Sequence, residues 1–452
     1  MTKKRVAIVG AGITGLVAAY YLKKAKIDFR IYERSPHIGG VINTIDEDGF
    51  LYETGPNSGV ISNKEIANLF ESLNGKCNVE LADHSSARRL IWKKDQWHAL
   101  PSGFLSAVFT PLFSWYDKFR ILGEPFRKKG NNPNETLASL VKRRMGKSFL
   151  NYAIDPFILG IYAGDPDYIV PKYALPKLYN LEQDYGSFIG GAIKKRKEPK
   201  DEEAKKATRE IFSIEGGLIN LVKGLVDEIG RENIVTNCND IHFHNDGNYY
   251  QLKFDTNNIE EFSHVVTTSN ASELESIFPF LEGELLEDIA NLTYARVTEI
   301  TLGFKKWKGM QLNAFGGLVP YRENRDILGV LFMSTLFKDR APKDGALLTV
   351  FVGGTRKTEI ACLKDHELKD LMAKELSEML QLKEFEPDLF IATKYKRAIA
   401  QYGADSGKRL AAINYIENKY KGLYLAGSMR DGVGIADRVK QARDIANLIF
   451  KE

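Results

Sequence analysis

The residues with the most legible chemistry stand near the start of the chain: Gly10-Ala11-Gly12-Ile13-Thr14-Gly15. Three glycines at this spacing, between a short β-rich run and a helical pattern, suit a phosphate-binding turn. Gly10 permits a tight turn, Gly12 lets a pyrophosphate approach the backbone, and Gly15 lets the helix pack closely on the sheet. The pyrophosphate would rest on free N–H groups at the helix start, including those of Ile13 and Thr14. Glu33 ends the next strand, where a carboxylate can hold the ribose hydroxyls of an adenosine. A second basic and polar set, Arg88-Arg89 through His98, lies on a hairpin pattern. A guanidinium there can hold a carboxylate through paired hydrogen bonds, or can simply be solvated. No Ser-His-Asp set, metal cluster or zinc-like cysteine spacing is legible, and the seven histidines are dispersed.

These residues need a scaffold to position them. Residues 5–9 read as a buried parallel strand, 16–26 as a helix and 28–33 as a second strand, which is the start of a doubly wound α/β sheet. Hairpins are expected over 41–52, turning at Asp48-Gly49, and over 88–100, turning at Lys93-Lys94-Asp95. Helical patterns cover 63–74, 135–160 (then broken by Pro156, Gly160, Gly164 and Pro166), 217–230, 364–380 and 435–450. Strands are expected at 234–243, 249–254, 263–268, 298–304, 328–334, 347–353 and 423–427. Elements of α/β type at both ends, with different material between, predict an interleaved α/β and α+β architecture. A dinucleotide-binding domain would be assembled from 1–80, 206–275 and 416–452. A mixed-sheet substrate domain would come from 81–101 and 276–415, with an inserted helical subdomain at 102–205. Within that insert, Phe104 to Phe119 is crowded with apolar and aromatic residues, interrupted by Pro111 and followed by Lys118, Arg120, Arg127, Lys128 and Lys129. Such a segment suits either the wall of an apolar ligand cavity or a membrane surface, and both can hold together. The charged stretch 194–209 reads as solvated.

Bulk properties agree with a folded, multi-domain chain of 452 residues, 44% hydrophobic and 27% charged. A net charge of +4 on 63 basic and 59 acidic side chains gives no warrant for nucleic-acid binding. Three scattered cysteines suggest a reducing, cytoplasmic compartment. The N-terminal apolar run reads as a strand and not a signal peptide, and no run is long enough to span a bilayer. The sequence assigns no oligomeric state.

Further motifs bring a family into view. Gly39-Gly40, within Arg34-Ser35-Pro36-His37-Ile38-Gly39-Gly40, resembles the extended FAD fingerprint of the glutathione-reductase-like flavoproteins, in particular the amine oxidase superfamily. Arginine often follows the pair in that family; here Val41-Ile42 follows. Leu423 to Gly427 resembles the late strand whose end meets the flavin ribitol, with Ser428 where an acidic or polar residue is usual. Gly432-Val433-Gly434-Ile435 resembles the helix start that faces the flavin pyrimidine; Ala436-Asp437-Arg438 keeps only the aspartate of the usual continuation. Gly216-Gly217 and the strand near Val235 resemble the element that meets the adenine edge. Four segments narrow the likeness: Tyr52-Glu53-Thr54-Gly55-Pro56-Asn57-Ser58, Arg88-Arg89 through Gly103, Phe157 through Gly160 and Gly164 to Pro166, and 432–435. By these the chain resembles the HemY-type, oxygen-dependent protoporphyrinogen oxidases and the coproporphyrinogen III oxidases.

The resemblance implies non-covalent FAD, held by residues 10–15, Glu33, Arg34, Gly39, Gly40, Gly55, Pro56, Asn57, Val235, Gly427, Ser428, Gly434, Ile435 and Ala436. It implies six-electron oxidation of protoporphyrinogen to protoporphyrin in haem biosynthesis, as three hydride transfers to flavin with oxygen as acceptor and no side chain as chemical base. Arg89, with Arg88 in reserve, would hold a propionate, and Gly160 and Gly164 would admit the macrocycle. Peripheral attachment to the cytoplasmic membrane face and handover to neighbouring haem-pathway enzymes are further implications. Three other readings stay open: coproporphyrinogen III as substrate, another flavin amine oxidase or isoprenoid desaturase, and a flavin-binding interaction protein without turnover.

Overall fold

The computed structural model describes residues 4–199, 201–254 and 258–452. Residues 1–3 of the N-terminal reading and Lys200 of the charged stretch lie outside these residues.

Two sheets carry the architecture. The first is parallel, in the order Ile234–Val235, Asp28–Tyr32, Arg5–Val9, His264–Thr267, Leu423–Leu425. Segments from early, middle and late in the chain thus meet in one sheet. Both faces are covered, which is why its central strand is apolar at successive positions. Val6 and Ile8 pack on the helices Ile13–Lys24, Ile219–Ile229 and Ile435–Lys451, against Leu16, Leu225 and Val439. Ala7 and Val9 enter a separate cluster with Phe243, Leu252 and Phe262 from an antiparallel three-stranded sheet.

The second sheet is mixed, with seven strands ordered Leu389–Ala400, Tyr294–Phe304, Ala346–Gly353, Gly329–Phe332, Gly316–Leu318, Arg89–Lys93, Gln96–Ala99. Helix Asp365–Met379 covers one face, where Leu368, Met372 and Leu376 pack with Ile300, Leu302 and Val350. Strand alternation puts Val297, Glu299 and Thr301 on the other face. Register aligns Thr301 with Thr349, Leu331, Gly316 and Arg89, and Glu299 with Phe351, Gly329, Leu318 and Ile91.

Helices between residues 104 and 197 form a third unit. Pro111 separates Phe104–Phe109 from Trp115–Leu122. At its centre Arg144, fully buried, donates from Nη1 to Glu182 Oε1 at 2.7 Å and from Nη2 to the Gly186 carbonyl at 2.8 Å. It also pairs with the buried Glu124. Among the described residues no helix is long and apolar enough to cross a membrane.

Three local expectations need correction. Pro156 and Gly160 do not break the helical pattern: a π-turn at Leu150–Ile154 runs straight into helix Asp155–Tyr162, and a wider turn of this kind is one of the ways a helix absorbs a proline. Residues 234–243 are not one strand. Ile234–Val235 joins the parallel sheet, His242–Asn245 joins the antiparallel one, and Asn237 between them is left-handed (φ 62°). The edge strand Leu389–Ala400 was not expected, because lysines at 394 and 396 mask its alternation.

Candidate functional site

The glycine loop lies outside the carboxyl ends of the parallel strands, where open α/β sheets bind ligands. Gly10 has φ +102° and donates its N–H to the Tyr32 carbonyl at 2.8 Å. A Cβ at Gly15 would stand 2.0 Å from the Gly10 carbonyl oxygen, so this glycine lets the helix fold back on its own loop. A side chain at Gly10 would strike Thr268 Oγ1, and one at Gly427 would come within 3.2 Å of the Thr268 carbonyl oxygen. The loops after Val9, Thr267 and Leu425 therefore converge on Thr268.

Helix Ile13–Lys24 starts at Gly12 with no side-chain cap and no acidic residue in its first turn. Its first N–H groups have no intrahelical acceptor, and no side chain satisfies them at the cap. A Cβ at Gly12 would meet only Gly40 Cα, at 3.9 Å. Bare donors beside an open glycine fit a pyrophosphate. Gly39 clasps the same loop, donating its N–H to the Ala11 carbonyl at 2.9 Å and forming an isolated parallel bridge with Gly12. Glu33, half-buried, accepts the Ala11 N–H on Oε2 at 2.7 Å and the Ser35 N–H on Oε1 at 2.8 Å. Both oxygens are thereby oriented and retain lone pairs for a hydroxyl donor. The Val235 carbonyl accepts the Glu33 N–H at 2.8 Å. Arg34 is 63% exposed and paired with Glu273 at 2.9 Å, which engages its charge on the protein.

The late segment closes the far side. The Gly427 N–H donates to Gln441 Oε1 at 2.8 Å, and the Ser428 carbonyl accepts the Tyr402 hydroxyl at 2.8 Å. Gly434 caps helix Ile435–Lys451 through its backbone, and the Ala436 carbonyl accepts Asn63 Nδ2 at 2.9 Å. Ile435 and Ala436 are buried in the core beneath the helix start.

A wall of backbone links this cradle to the second sheet. A Cβ at Gly55 would lie 1.9 Å from the Val41 carbonyl oxygen, so the segments after Gly40 and around Pro56 are pressed together. Asn57, two residues on and buried, donates from Nδ2 to the Gly55 carbonyl at 3.1 Å and to Glu299 Oε1 at 2.7 Å. Its Oδ1 accepts the Thr349 hydroxyl at 2.8 Å. Burial pushes the Glu299 carboxyl up to about 8, against the Asn57 hydrogen bond and with a small push from Glu53. Tyr395 donates its hydroxyl to the Thr54 carbonyl. Burial, followed by the neighbouring Glu299, pushes that hydroxyl up to about 12.

On the same sheet face, farther out, stands Arg89. Leu90 and Trp92 enter the core, so Arg89 and Ile91 point the other way. The Arg89 guanidinium is exposed and sits 5.7 Å from the centre of the Phe315 ring. Arg88 instead donates from Nη2 to the Asn313 carbonyl at 3.1 Å. The row Thr349, Leu331, Gly316, Arg89 crosses three strand spacings, about 14 Å at about 4.8 Å per strand. Phe157 and Ile161, 43% and 38% exposed, share one face of helix Asp155–Tyr162 with Gly160. A Cβ at Gly160 would meet Leu318 Cδ2 at 2.8 Å, and one at Gly164 would meet Gln401 Oε1 at 2.3 Å. These two glycines admit protein neighbours, Leu318 and Gln401, while Phe157 and Ile161 are the exposed apolar side chains beside Gly160. Sequence reasoning missed Glu299, Thr349 and Tyr395. The one usable signal was a lone acid within Val297-Thr298-Glu299-Ile300-Thr301-Leu302.

Fold and site together define a dinucleotide-binding α/β protein whose nucleotide cradle is joined to a mixed sheet that carries an exposed cation, Arg89, with no acidic partner among the described residues. The sequence profile of the flavin containing amine oxidoreductases matches residues 13–449, and the chain belongs to that family. Among curated relatives, the mitochondrial protoporphyrinogen oxidase of Nicotiana tabacum is 29% identical, over 99% of this chain and 95% of its own length. The coproporphyrinogen III oxidase of Bacillus subtilis (strain 168) is 24% identical over 98% of this chain and 97% of its own. A crystal structure from Exiguobacterium sp. 255-15, provisionally assigned as a protoporphyrinogen oxidase, superposes with a TM-score of 0.83 at 24% identity, covering 100% of this chain and 99% of that one. The resemblance to porphyrinogen oxidases read from the motifs is borne out by these relatives.

Proposed function

We propose that this chain is an FAD-dependent oxidase that takes protoporphyrinogen IX to protoporphyrin IX in haem biosynthesis. The observation that carries the reading is Arg89, an exposed guanidinium on the sheet face reached from the nucleotide cradle through Gly55 and Asn57. FAD, when bound, supplies a two-electron acceptor that three successive hydride transfers would use, with oxygen as the final acceptor. The chain's own residues hold and exclude. Gly10, Ala11, Gly12, Ile13, Thr14 and Gly15 cradle the pyrophosphate, and Glu33 takes ribose hydroxyls. Gly39 and Gly40 line the middle of the cofactor, Gly55, Pro56 and Asn57 meet its flavin ring from the side of the second sheet, and Gly427, Ser428, Gly434, Ile435 and Ala436 close the flavin end. Val235 flanks the adenine side. Arg89 clamps one propionate, while Phe157, Ile161 and Leu318 give the macrocycle apolar contacts. Orientation at the reacting carbon then does most of the work, since no side-chain base is required.

Coproporphyrinogen III is the second reading, and the Bacillus subtilis relative favours it. It carries two more carboxylates, and Arg89 is the cation we assign to the open sheet face, which favours the less charged substrate. We assign the cradle domain to 1–80, 206–275 and 416–452, and the substrate domain to 81–101 and 276–415. The helical unit 102–205 displays Leu105, Phe109, Trp115, Tyr116, Phe119, Leu122 and Phe126 in the open. Such a patch, beside Lys118, Arg120 and Arg127, supports peripheral contact with the cytoplasmic membrane face and delivery of an apolar substrate. The test is anaerobic addition of each porphyrinogen to the purified yellow protein. Flavin bleaching and porphyrin fluorescence, faster with protoporphyrinogen, are expected. Faster turnover of coproporphyrinogen would reassign the substrate, and no bleaching with either would end the reading.

A further inference from the structure

We infer that Glu299 is a positioning residue which, as a neutral carboxylic acid, holds Asn57 and the Gly55–Asn57 segment against the flavin, and whose ionisation opposes reduction of the cofactor. The inference rests on the flavin reading given above. Its footing is geometric. Glu299 is 3% exposed and lies mid-strand in Tyr294–Phe304, facing the cradle side of the sheet. Its hydrogen bond to Asn57 at 2.7 Å and that of Thr349 to Asn57 at 2.8 Å fix the amide from both ends. With Nδ2 also donating to the Gly55 carbonyl, Asn57 has no rotational freedom left without losing a bond. The segment so held is the one wedged against Val41, in line with Gly40 and Gly12. A carboxyl at this place therefore sits where the nucleotide cradle meets the substrate sheet.

The surroundings make the carboxyl neutral. From the strand Phe50–Glu53 comes Glu53, a second acid, which burial pushes up against hydrogen bonds from Thr44, the Leu218 N–H and Arg340. From the strand Leu389–Ala400 come Thr393, directly opposite, and the neutral Tyr395. From the strand Ala346–Gly353 come Phe351 and Thr349, which carry no charge. Among the described residues no cation acts on Glu299, and a carboxylate buried without one is costly, so the proton stays on through neutral pH. With the flavin ring on the Gly55–Asn57 segment, as that reading has it, an added electron pair would place negative charge near this group. A neutral acid leaves that charge unopposed, whereas a carboxylate repels it. By linkage, reduction must raise the affinity of Glu299 for its proton. The midpoint potential should then fall more steeply with pH above the point where Glu299 ionises in the oxidised protein, by the share of one extra proton per electron pair.

Midpoint potential is to be measured against pH, from 6 to 10, on the flavin-loaded wild type and on E299Q, whose amide keeps the size and can still accept from Asn57. The wild type should show a break near 8 that E299Q lacks, with the two curves parallel on the acid side. Infrared difference spectra of the wild type between pH 6.5 and 9.5 give an independent reading should the variant fold poorly. Loss of a protonated-carboxyl carbonyl band is expected. An identical break in E299Q, or no change in that band in the wild type, overturns the inference while leaving the flavin assignment standing. A purified protein that binds no flavin overturns both.

Discussion

Gly12→Ala separates folding from cofactor binding more cleanly than any other change in the cradle. Gly12 has φ −74° and ψ 177°, an extended conformation that alanine adopts freely. The new methyl would meet only Gly40 Cα at 3.9 Å, an ordinary contact. Folding of the unliganded protein should therefore be unharmed, and the stiffer unfolded chain can add about 0.4–1 kcal/mol of stability. The methyl does, however, occupy the side of the loop on which the uncapped N–H groups of the first helical turn must reach a phosphate. Losing two charge-assisted hydrogen bonds at about 1.5–3 kcal/mol each removes about 3–6 kcal/mol of binding, roughly a 10²–10⁴-fold rise in Kd. At FAD set to about 100 times the wild-type Kd, ligand stabilises the wild type by about 2.7 kcal/mol and the variant by less than about 0.5 kcal/mol. Thermal melts with and without FAD, alongside quenching of free-FAD fluorescence, read this directly. The control is Gly15→Ala, whose Cβ would stand 2.0 Å from the Gly10 carbonyl oxygen and which should damage folding itself. Wild-type FAD affinity in Gly12→Ala, or a collapse of its unliganded melt, would refute the reasoning.

Arg89→Ala should leave FAD bound and raise KM for the porphyrinogen by about 10–100-fold, the value of a charge-assisted bond at about 1.5–3 kcal/mol; unchanged steady-state kinetics would remove Arg89 from the substrate site. Arg144→Ala should destabilise the helical unit by about 3–5 kcal/mol in denaturant unfolding, because it leaves the buried Glu124 without its cation and Glu182 with Arg143 alone. Burial pushes both acids up, but hydrogen bonds to Glu124 from Ser187, the N–H groups of Phe188 and Ile189, and Arg144 hold it below the usual carboxylate range, as those from Arg143, the Gly130 N–H and Arg144 do for Glu182. Because these folded-state values are depressed, their contribution is present above the ordinary glutamate range and is lost as pH falls through the lowered values; melts from pH 7 down to 3 should show a loss that Glu124→Gln reduces. Trp115→Glu with Phe119→Glu should abolish flotation with anionic liposomes yet leave the melting temperature unchanged, since the two side chains are 61% and 69% exposed; wild-type flotation in the variant would remove this patch from the membrane reading.

What the sequence disclosed and what it hid divide along one physical line. The cradle was legible because backbone does its work, and backbone geometry leaves glycines behind in the chain at fixed offsets: 10, 12 and 15, then 39 and 40. The hairpin at 44–53 was legible for the same reason, since its turn needs positive φ at Asp48 and Gly49. The second sheet was hidden in part because its long edge strand, Leu389–Ala400, alternates half-buried residues with lysines instead of apolar with polar ones. Gly160 and Gly164 show how little a glycine says about what approaches it. Glycine announces that something comes close, and there it is Leu318 and Gln401. The polar knot of Asn57, Thr349 and Glu299 was the least readable feature. Its members are separated by 242 and 292 positions along the chain, and only register across Tyr294–Phe304 and Ala346–Gly353 brings Glu299 and Thr349 to one amide. A lone acid in an apolar strand is a statement that burial has been compensated or tolerated for a reason. Here a single neutral amide answers it, an arrangement that costs stability as pH rises from the ordinary glutamate range to about 8 and is therefore best explained by what it holds in place.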